Sequence, residues 1–391
     1  MSFIIEKREA FIMRCAAHAI RKFEPGIIAV TGGIGKTAAR IALTGVMRDI
    51  RSIQAANEDA NKSLRLPFTA LGIVEEGEGF FFWARTLLTA TKTGFIGTHY
   101  PELLILECPA NESRQFMTLT RPQITIVTAL GNESEADAGR LLSNLPSNGY
   151  AVINRDDERT RSIALRTRAR AITFGFTEEA DLIMSDFSHR SEKLQTGNRP
   201  AGISFKARYG NQSAHVVMDN AFGKAAAYAA AAAMCVGTAF GLHLARTAEA
   251  LRYLDMPKNN MGLSIGKKGT YVLNDTAART EEAIYNALET AEAMPAKRVI
   301  GVFGTAKKTD GAWRMQDTLN RLALRTCDAI LTVGDSPVNV DSKKKLRFDN
   351  GESAAAELQA ITERGDLILI TGQGLDAVVD SLCSYRLVVR T

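Results

Sequence analysis

Cysteine and histidine are scarce in this chain, and their placement excludes several kinds of chemistry. Five cysteines (Cys15, Cys108, Cys235, Cys327 and Cys383) lie far apart, with no C-x-x-C pair. That pattern fits neither a zinc knuckle nor a disulfide framework, and it points to a reducing cytoplasm. The five histidines (His18, His99, His189, His215 and His243) fall at no metal-ligating spacing. Long apolar runs are also missing. The most apolar stretch, 225–242, is mainly alanine, which contributes little to membrane insertion, and it reads as a buried helix with no membrane span. Met1 to Lys22 alternates apolar and charged side chains and lacks the apolar centre of a signal peptide. Strong charge of one sign is absent as well. The net charge is +5, and basic residues are dispersed apart from short clusters at Lys343-Lys344-Lys345 and Arg166-Thr167-Arg168-Ala169-Arg170. No dedicated nucleic-acid surface is indicated, while an anionic small-molecule substrate is allowed.

What remains is a well-folded composition, 46% hydrophobic and 23% charged over 391 residues, enough for two or more domains. Residues 4–23 carry apolar side chains at helical spacing and stop at Pro25-Gly26. Short β-branched runs then alternate with helical patterns: strands at 27–31, 103–106, 124–128, 151–154 and 171–174, with helices at 36–48 and 133–145. Buried strands alternating with helices predict an α/β fold with a parallel sheet. Residues 181–222 lose that rhythm and read as a small antiparallel flap. A glycine-rich stretch, 257–269, reads as a hinge. Beyond it the alternation restarts, with strands at 271–273, 299–303, 329–333, 367–370 and 386–389. The expected domains are therefore 1–256 and 257–391. The run Phe80-Phe81-Phe82-Trp83 reads as core packing, with an acceptor-binding or partner surface as the alternative.

The sharpest local signal is Gly35-Lys36-Thr37. Gly-Lys occurs three times, and only here is it followed by Thr, preceded by an apolar strand and succeeded by a helix. A glycine-rich turn running into a helix N-terminus points backbone N–H groups at phosphate oxygens. Lys36 would neutralise the β/γ-phosphates and the Thr37 hydroxyl would ligate Mg2+. Val30 occupies the first glycine position of the strict P-loop pattern. The alternative is a strand–turn–helix that needs glycine for geometry alone.

Thr31-Gly32-Gly33-Ile34-Gly35-Lys36-Thr37 closely resembles the T-G-[TS]-x-G-K-[TS] loop of the muramyl (Mur) ligase family, ATP-dependent amide-forming enzymes of peptidoglycan synthesis. Further stretches follow in the family's order. They are Asn61 with Pro67, the strand 103–107 ending in Glu107, the strand 122–128, Gly149 to Asp157 as G-x-x-V-x-N-x-D-D, Leu273-Asn274-Asp275-Thr276, and Gly365 to Gly372. The nearest branch is the D-alanyl-D-alanine-adding one, UDP-N-acetylmuramoyl-tripeptide--D-alanyl-D-alanine ligase.

The resemblance implies a P-loop-type central parallel-sheet domain followed by a smaller Rossmann-like α/β domain. It also implies a missing N-terminal UDP-binding domain, with a protein partner as one way of supplying it. By the same resemblance ATP is held by Thr31, Gly32, Gly33, Ile34, Gly35, Lys36, Thr37 and Ala38, and by Asp275 at the ribose. Lys36 and Glu107 are the implied catalytic residues, and Thr37 and Glu107 the implied Mg2+ ligands. Four family features are replaced. Ser134 stands near the position of a metal-binding histidine, Ala138 near that of a carbamylated lysine, Asn260 at that of a phosphate-binding arginine, and 223–230 lacks the adenine-facing His and Asn. Glu133 and Glu135 offer substitute oxygen ligands. The expected reaction is amide-bond formation through an acyl phosphate between a carboxylate and an amine. A nucleotide-binding pseudoenzyme or partner subunit and a poly-γ-glutamate-type ligase are the alternatives.

Overall fold

The computed structural model describes residues 2–55, 64–73, 77, 79–108, 117, 119–131, 134–194, 197–254, 256–308, 311–342 and 345–382. The expectations at Asn61, Glu133, Lys343-Lys344, Cys383 and strand 386–389 lie outside these residues. Two compact units are present. One comprises 1–185, 207–214 and 228–251, and the other 186–206, 215–227 and 252–391.

The first part of the chain runs α1 (Ser2–Phe23), β1 (Gly26–Thr31), α2 (Lys36–Met47), β2 (Ile53–Ala55), α3 (Arg65–Leu71), α4 (Phe80–Thr91), a π-turn (Lys92–Ile96), β3 (Leu103–Glu107), β4 (Ile124–Val127), α5 (Glu135–Ser143), β5 (Tyr150–Asn154), α6 (Glu158–Ala164) and β6 (Arg170–Gly175). Then come β7 (Leu182–Leu194), β8 (Gly197–Tyr209), β9 (Gln212–Asp219), α7 (Gly223–Ala239) and α8 (Leu244–Ala250). The strands form one sheet in the order β2-β3-β1-β4-β5-β6-β7-β8-β9, parallel from β2 through to the start of β7. β8 and β9 are joined through Gly210-Asn211 alone, a connection too short for a parallel crossover, as the expected flap requires. Ile12, Cys15, Ala16 and Ala19 of α1 pack with Phe68 and Leu71 of α3 against Ile27, Ala29, Leu104 and Leu106. Leu142 of α5 and Ile163 of α6 cover Val127, Ala151 and Ile153.

The later part runs β10 (Gly262–Ile265), β11 (Tyr271–Asp275), α9 (Glu281–Ala293), β12 (Val299–Phe303), α10 (Gln316–Thr326), β13 (Ala329–Val333), β14 (Lys345–Phe348), α11 (Gly351–Ile361), β15 (Leu367–Thr371) and α12 (Asp376–Leu382). Its sheet has the order β10-β11-β15-β12-β13-β14, parallel except for β10. Strand periodicity shows on both faces. Leu273, Leu367 and Leu369 meet Ile284, Leu288 and Leu319 of α9 and α10, while Val272, Ile368 and Ile370 meet Leu358 and Val378 of α11 and α12. The stretch read as a hinge thus contains an edge strand, β10, paired antiparallel with β11.

Candidate functional site

β1 lies between β3 and β4, and the chain passes to one side of it for β2 and β3 and to the other for β4. Open α/β sheets bind ligands outside the strand ends at such a reversal. The 32–35 loop leaves β1 at that point. Gly32 has φ 128, and a Cβ there would stand 2.3 Å from Thr128 Oγ1, so only glycine fits. The N–H groups of Gly33 and Ile34 donate to Ala129 O at 2.8 and 3.2 Å, which ties the loop to the segment after β4. Gly35, with φ 81, precedes α2. The first helical bond runs from Ala39 N–H to Gly35 O at 2.9 Å, so the N–H groups of Lys36, Thr37 and Ala38 form the open first turn. That turn carries the positive end of the helix dipole.

Lys36 Nζ folds back and donates to Gly32 O. Thr31 is buried, and its carbonyl accepts from Thr128 N–H at 3.0 Å and from Thr128 Oγ1 at 3.2 Å. Ala38 is buried too, so it can meet a ligand only through its backbone. Glu107, at the end of β3 opposite Val30, turns one carboxylate oxygen towards α2: Thr37 Oγ1 lies 3.4 Å from Oε2. Its other oxygen accepts from Arg40 Nε at 2.6 Å in a buried ion pair. Sequence reading missed Arg40. The available signal was its position three residues after Thr37, which places both on one face of α2. A hydroxyl and a carboxylate side by side are hard oxygen donors of the kind Mg2+ takes, and the first turn of α2 with Lys36 suits a polyphosphate.

The segment read as a source of substitute oxygen ligands has its described side chains committed elsewhere. Ser134 Oγ caps α5 by accepting from Asp137 N–H at 3.3 Å. Ala138 is buried within the helix. Glu135 accepts from Arg159 Nε at 2.9 Å and from Ser162 Oγ at 3.3 Å, and the Arg159 hydrogen bond holds its carboxyl below the usual range. Among the described residues no group of three His, Cys, Asp or Glu could hold a metal.

Other motif residues serve the scaffold. Asp157 caps α6 and accepts Leu130 N–H at 2.8 Å. Asp156 accepts from Phe176 N–H at 2.7 Å, Thr177 N–H at 3.1 Å and the Tyr228 hydroxyl at 2.8 Å. Asp366, fully buried, takes two hydrogen bonds from Arg298 and one from Glu363 N–H. Asp275 closes β11 in the other unit. Burial pushes its carboxyl up to about 8, against hydrogen bonds from Thr371 Oγ1 (3.3 Å) and Met261 N–H.

Residues 132–237 match the Mur ligase middle domain, and residues 263–374 match the Mur ligase glutamate ligase domain. The chain carries the middle and C-terminal domains of the Mur ligase family. Curated relatives include the UDP-N-acetylmuramoyl-L-alanyl-D-glutamate--2,6-diaminopimelate ligases of Solibacter usitatus (26% identical over 245 residues) and Geobacillus thermodenitrificans (25% over 243). Each match covers 58% of this chain and 46% of the relative, so the chain spans about half the length of the curated Mur ligases it matches. Among solved structures, the MurF ligase of Thermotoga maritima in complex with ADP superposes with a TM-score of 0.76 at 16% identity, covering 95% of this chain and 82% of that one. The UDP-N-acetylmuramate-alanine ligase MurC of the same organism gives 0.62 at 16%, covering 93% and 76%. These likenesses establish the Mur ligase fold, a mixed α/β architecture with two sheets.

Proposed function

We propose that the chain is an ATP-dependent ligase that joins a carboxylate to an amine through an acyl phosphate, in the cytoplasmic synthesis of a peptidoglycan-type peptide. The observation that carries this reading is the convergence of Lys36, Thr37 and Glu107 on the first turn of α2, within a chain bearing both Mur ligase domains. ATP supplies the phosphoryl group that activates the carboxylate. Lys36 leaves Gly32 O to neutralise charge on the phosphates, and the α2 N–H groups orient them. Thr37 Oγ1 and Glu107 Oε2 would hold Mg2+, which would supply further positive charge beside the phosphates. Asp275 takes the ribose, and the functional domains divide near residues 256 and 257. The T. maritima structure with ADP supports the choice of nucleotide. The amine partner is an amino acid or dipeptide. The MurF likeness favours the D-alanyl-D-alanine-adding branch, and the diaminopimelate-adding relatives mark the neighbouring one.

Trapping tests the reaction. Candidate acids with ATP and hydroxylamine should yield a hydroxamate and ADP. Lys36→Ala should lower Mg·ATP affinity about tenfold or more, as for loss of a charge-assisted phosphate contact. Glu107→Gln should suppress turnover while leaving the fold intact. Nucleotide binding without ADP release across such acids would instead favour a partner subunit that holds nucleotide. Ala138 in the core and Glu135 committed to Arg159 are the observations that support that second reading.

A further inference from the structure

From β1, which carries the 32–35 loop, the parallel sheet continues through β4, β5 and β6 in spatial order. Glu107, the proposed Mg2+ ligand, lies to the other side of β1, on β3. β6 stands about 14 Å from β1 at about 4.8 Å per strand, comparable with the reach of an extended nucleoside triphosphate. In the described segments just after β1 and β3 to β6, Phe176 is the one aromatic residue. Tyr228 of α7 meets it edge to face, with ring centroids 5.5 Å apart and planes at 79°. Phe174 backs the Tyr228 ring at 6.4 Å. Phe176 and Tyr228 are half-buried, whereas Phe174 is fully buried.

One carboxylate fixes this pair of rings. Asp156 Oδ2 accepts from the Tyr228 hydroxyl and from Phe176 N–H, while Oδ1 accepts from Thr177 N–H. A Cβ on Gly175 would stand 2.6 Å from Asp156 Oδ1, so glycine lets the carboxylate close on the chain there. The charged groups beside the rings already have partners. Asp156 holds the pair, Asp157 takes Leu130 N–H and caps α6, and Arg155 binds Glu179 at 2.8 Å. Helix α7 adds no hydrogen-bonding side chain on either flank of Tyr228, because 225–227 and 229–233 are all alanine.

We infer that Phe176 and Tyr228 form the platform on which the base of the bound nucleotide stacks, and that the site takes purine nucleoside triphosphates as a class. The inference rests on the nucleotide reading of the 32–38 turn. With the metal-bound phosphates beside Glu107, the base lies the opposite way along the strand ends, towards β5 and β6. Two rings set edge to face form a corner that offers one face and one edge, the two contacts that aromatic rings favour. Stacking uses the π-face that every base has, so it tells bases apart weakly. A site built on hydrogen bonds to the base edge would instead reject an analogue lacking them by several orders of magnitude. With its polar neighbours committed, this corner takes GTP about as well as ATP.

Calorimetric titration of the full chain with Mg·ATP, Mg·GTP and Mg·tripolyphosphate, which has no base, tests this. ATP and GTP should bind within about threefold of each other, and about tenfold or more tighter than tripolyphosphate. Phe176→Leu and Tyr228→Leu keep apolar bulk and remove a ring. Each should weaken ATP and GTP about tenfold while leaving tripolyphosphate unchanged, and Phe176→Tyr should keep the wild-type affinities. Undiminished ATP affinity in both leucine variants would overturn the inference. So would equal binding of ATP and tripolyphosphate by the wild type, equal losses for all three ligands in the variants, or a preference for ATP over GTP beyond about a hundredfold. In each of those cases tripolyphosphate binding that Lys36→Ala weakens would leave the phosphate site standing. Absence of tripolyphosphate binding, or binding indifferent to Lys36→Ala, would overturn the phosphate site and this inference with it.

Discussion

Arg40 occupies an ambiguous place beside the proposed metal ligand, because a guanidinium on a carboxylate either competes with a cation or orients the group for it. The two oxygens of Glu107 are divided, Oε1 to Arg40 and Oε2 towards Thr37, which favours orientation. Arg40→Met should therefore abolish most of the gain in ATP affinity that Mg2+ gives, leaving metal-free affinity unchanged, and Arg40→Lys should keep part of it. Calorimetric titrations with and without Mg2+ measure this, and an undiminished Mg2+ effect in Arg40→Met would contradict it. The same change leaves a buried carboxylate unpaired, at about 3–5 kcal/mol of stability in a denaturant melt. Asp275 gives a second residue-scale prediction. Its folded pKa of about 8 exceeds the unfolded value of 3.8, so the group's contribution is full below the unfolded value and is lost as pH rises towards 8. Asp275→Asn should be more stable than wild type at pH above 8, with the difference shrinking on acidification, as thermal melts across that range would show. The glycine-rich turn into α2 was legible because its glycines, Lys36 and Thr37 are local in the chain. Arg40 was not, since its partner lies 67 residues away.

Helix α7 starts at Gly223, whose N–H donates to His189 Nε2 of β7 at 3.3 Å. Burial lowers His189 to about 4, so the ring is neutral and accepts this bond. The unfolded ring titrates near 6.5, so stability is present above that pH and is lost as pH falls towards 4. His189→Gln should narrow the difference in melting temperature between pH 7 and pH 5, and an unchanged difference would show that the ring does not control the acid response. Strands buried on both faces were the most legible. The central strands β1, β3 to β6, β11 to β13 and β15 fall where apolar runs predict, because burial on both faces leaves continuous apolar segments, whereas the short edge strands β2, β10 and β14 carry no such run and were not foreseen. Helix α4 shows the limit. Its four consecutive aromatics read as core, yet a helix turns neighbours to different sides, so Phe82 and Trp83 pack partly inward while Phe80 and Phe81 do not. Density of apolar residues gave no direction; their three-to-four-residue spacing did.

At the scale of the whole molecule, the second unit draws on segments well ahead of residue 252. Phe222 belongs to the same cluster as Leu273, Ile284 and Phe303. A chain cut after Met256 should therefore expose Phe222 and melt over a broader range than the full chain, with increased binding of an apolar dye. A sharp, dye-free transition in the fragment would show that the early residues need no later partner. Glycine content marks where the chain can bend but does not report which earlier segments pack against strands farther along it. The borders of the later sheet have their own consequence. Among the described residues it ends on β10 and β14, each four residues long, and β14 carries Lys345 and Arg347. Strands that short, one of them charged, make poor templates for another chain, so these two edges resist edge-to-edge polymerisation and fibril growth in concentrated solution.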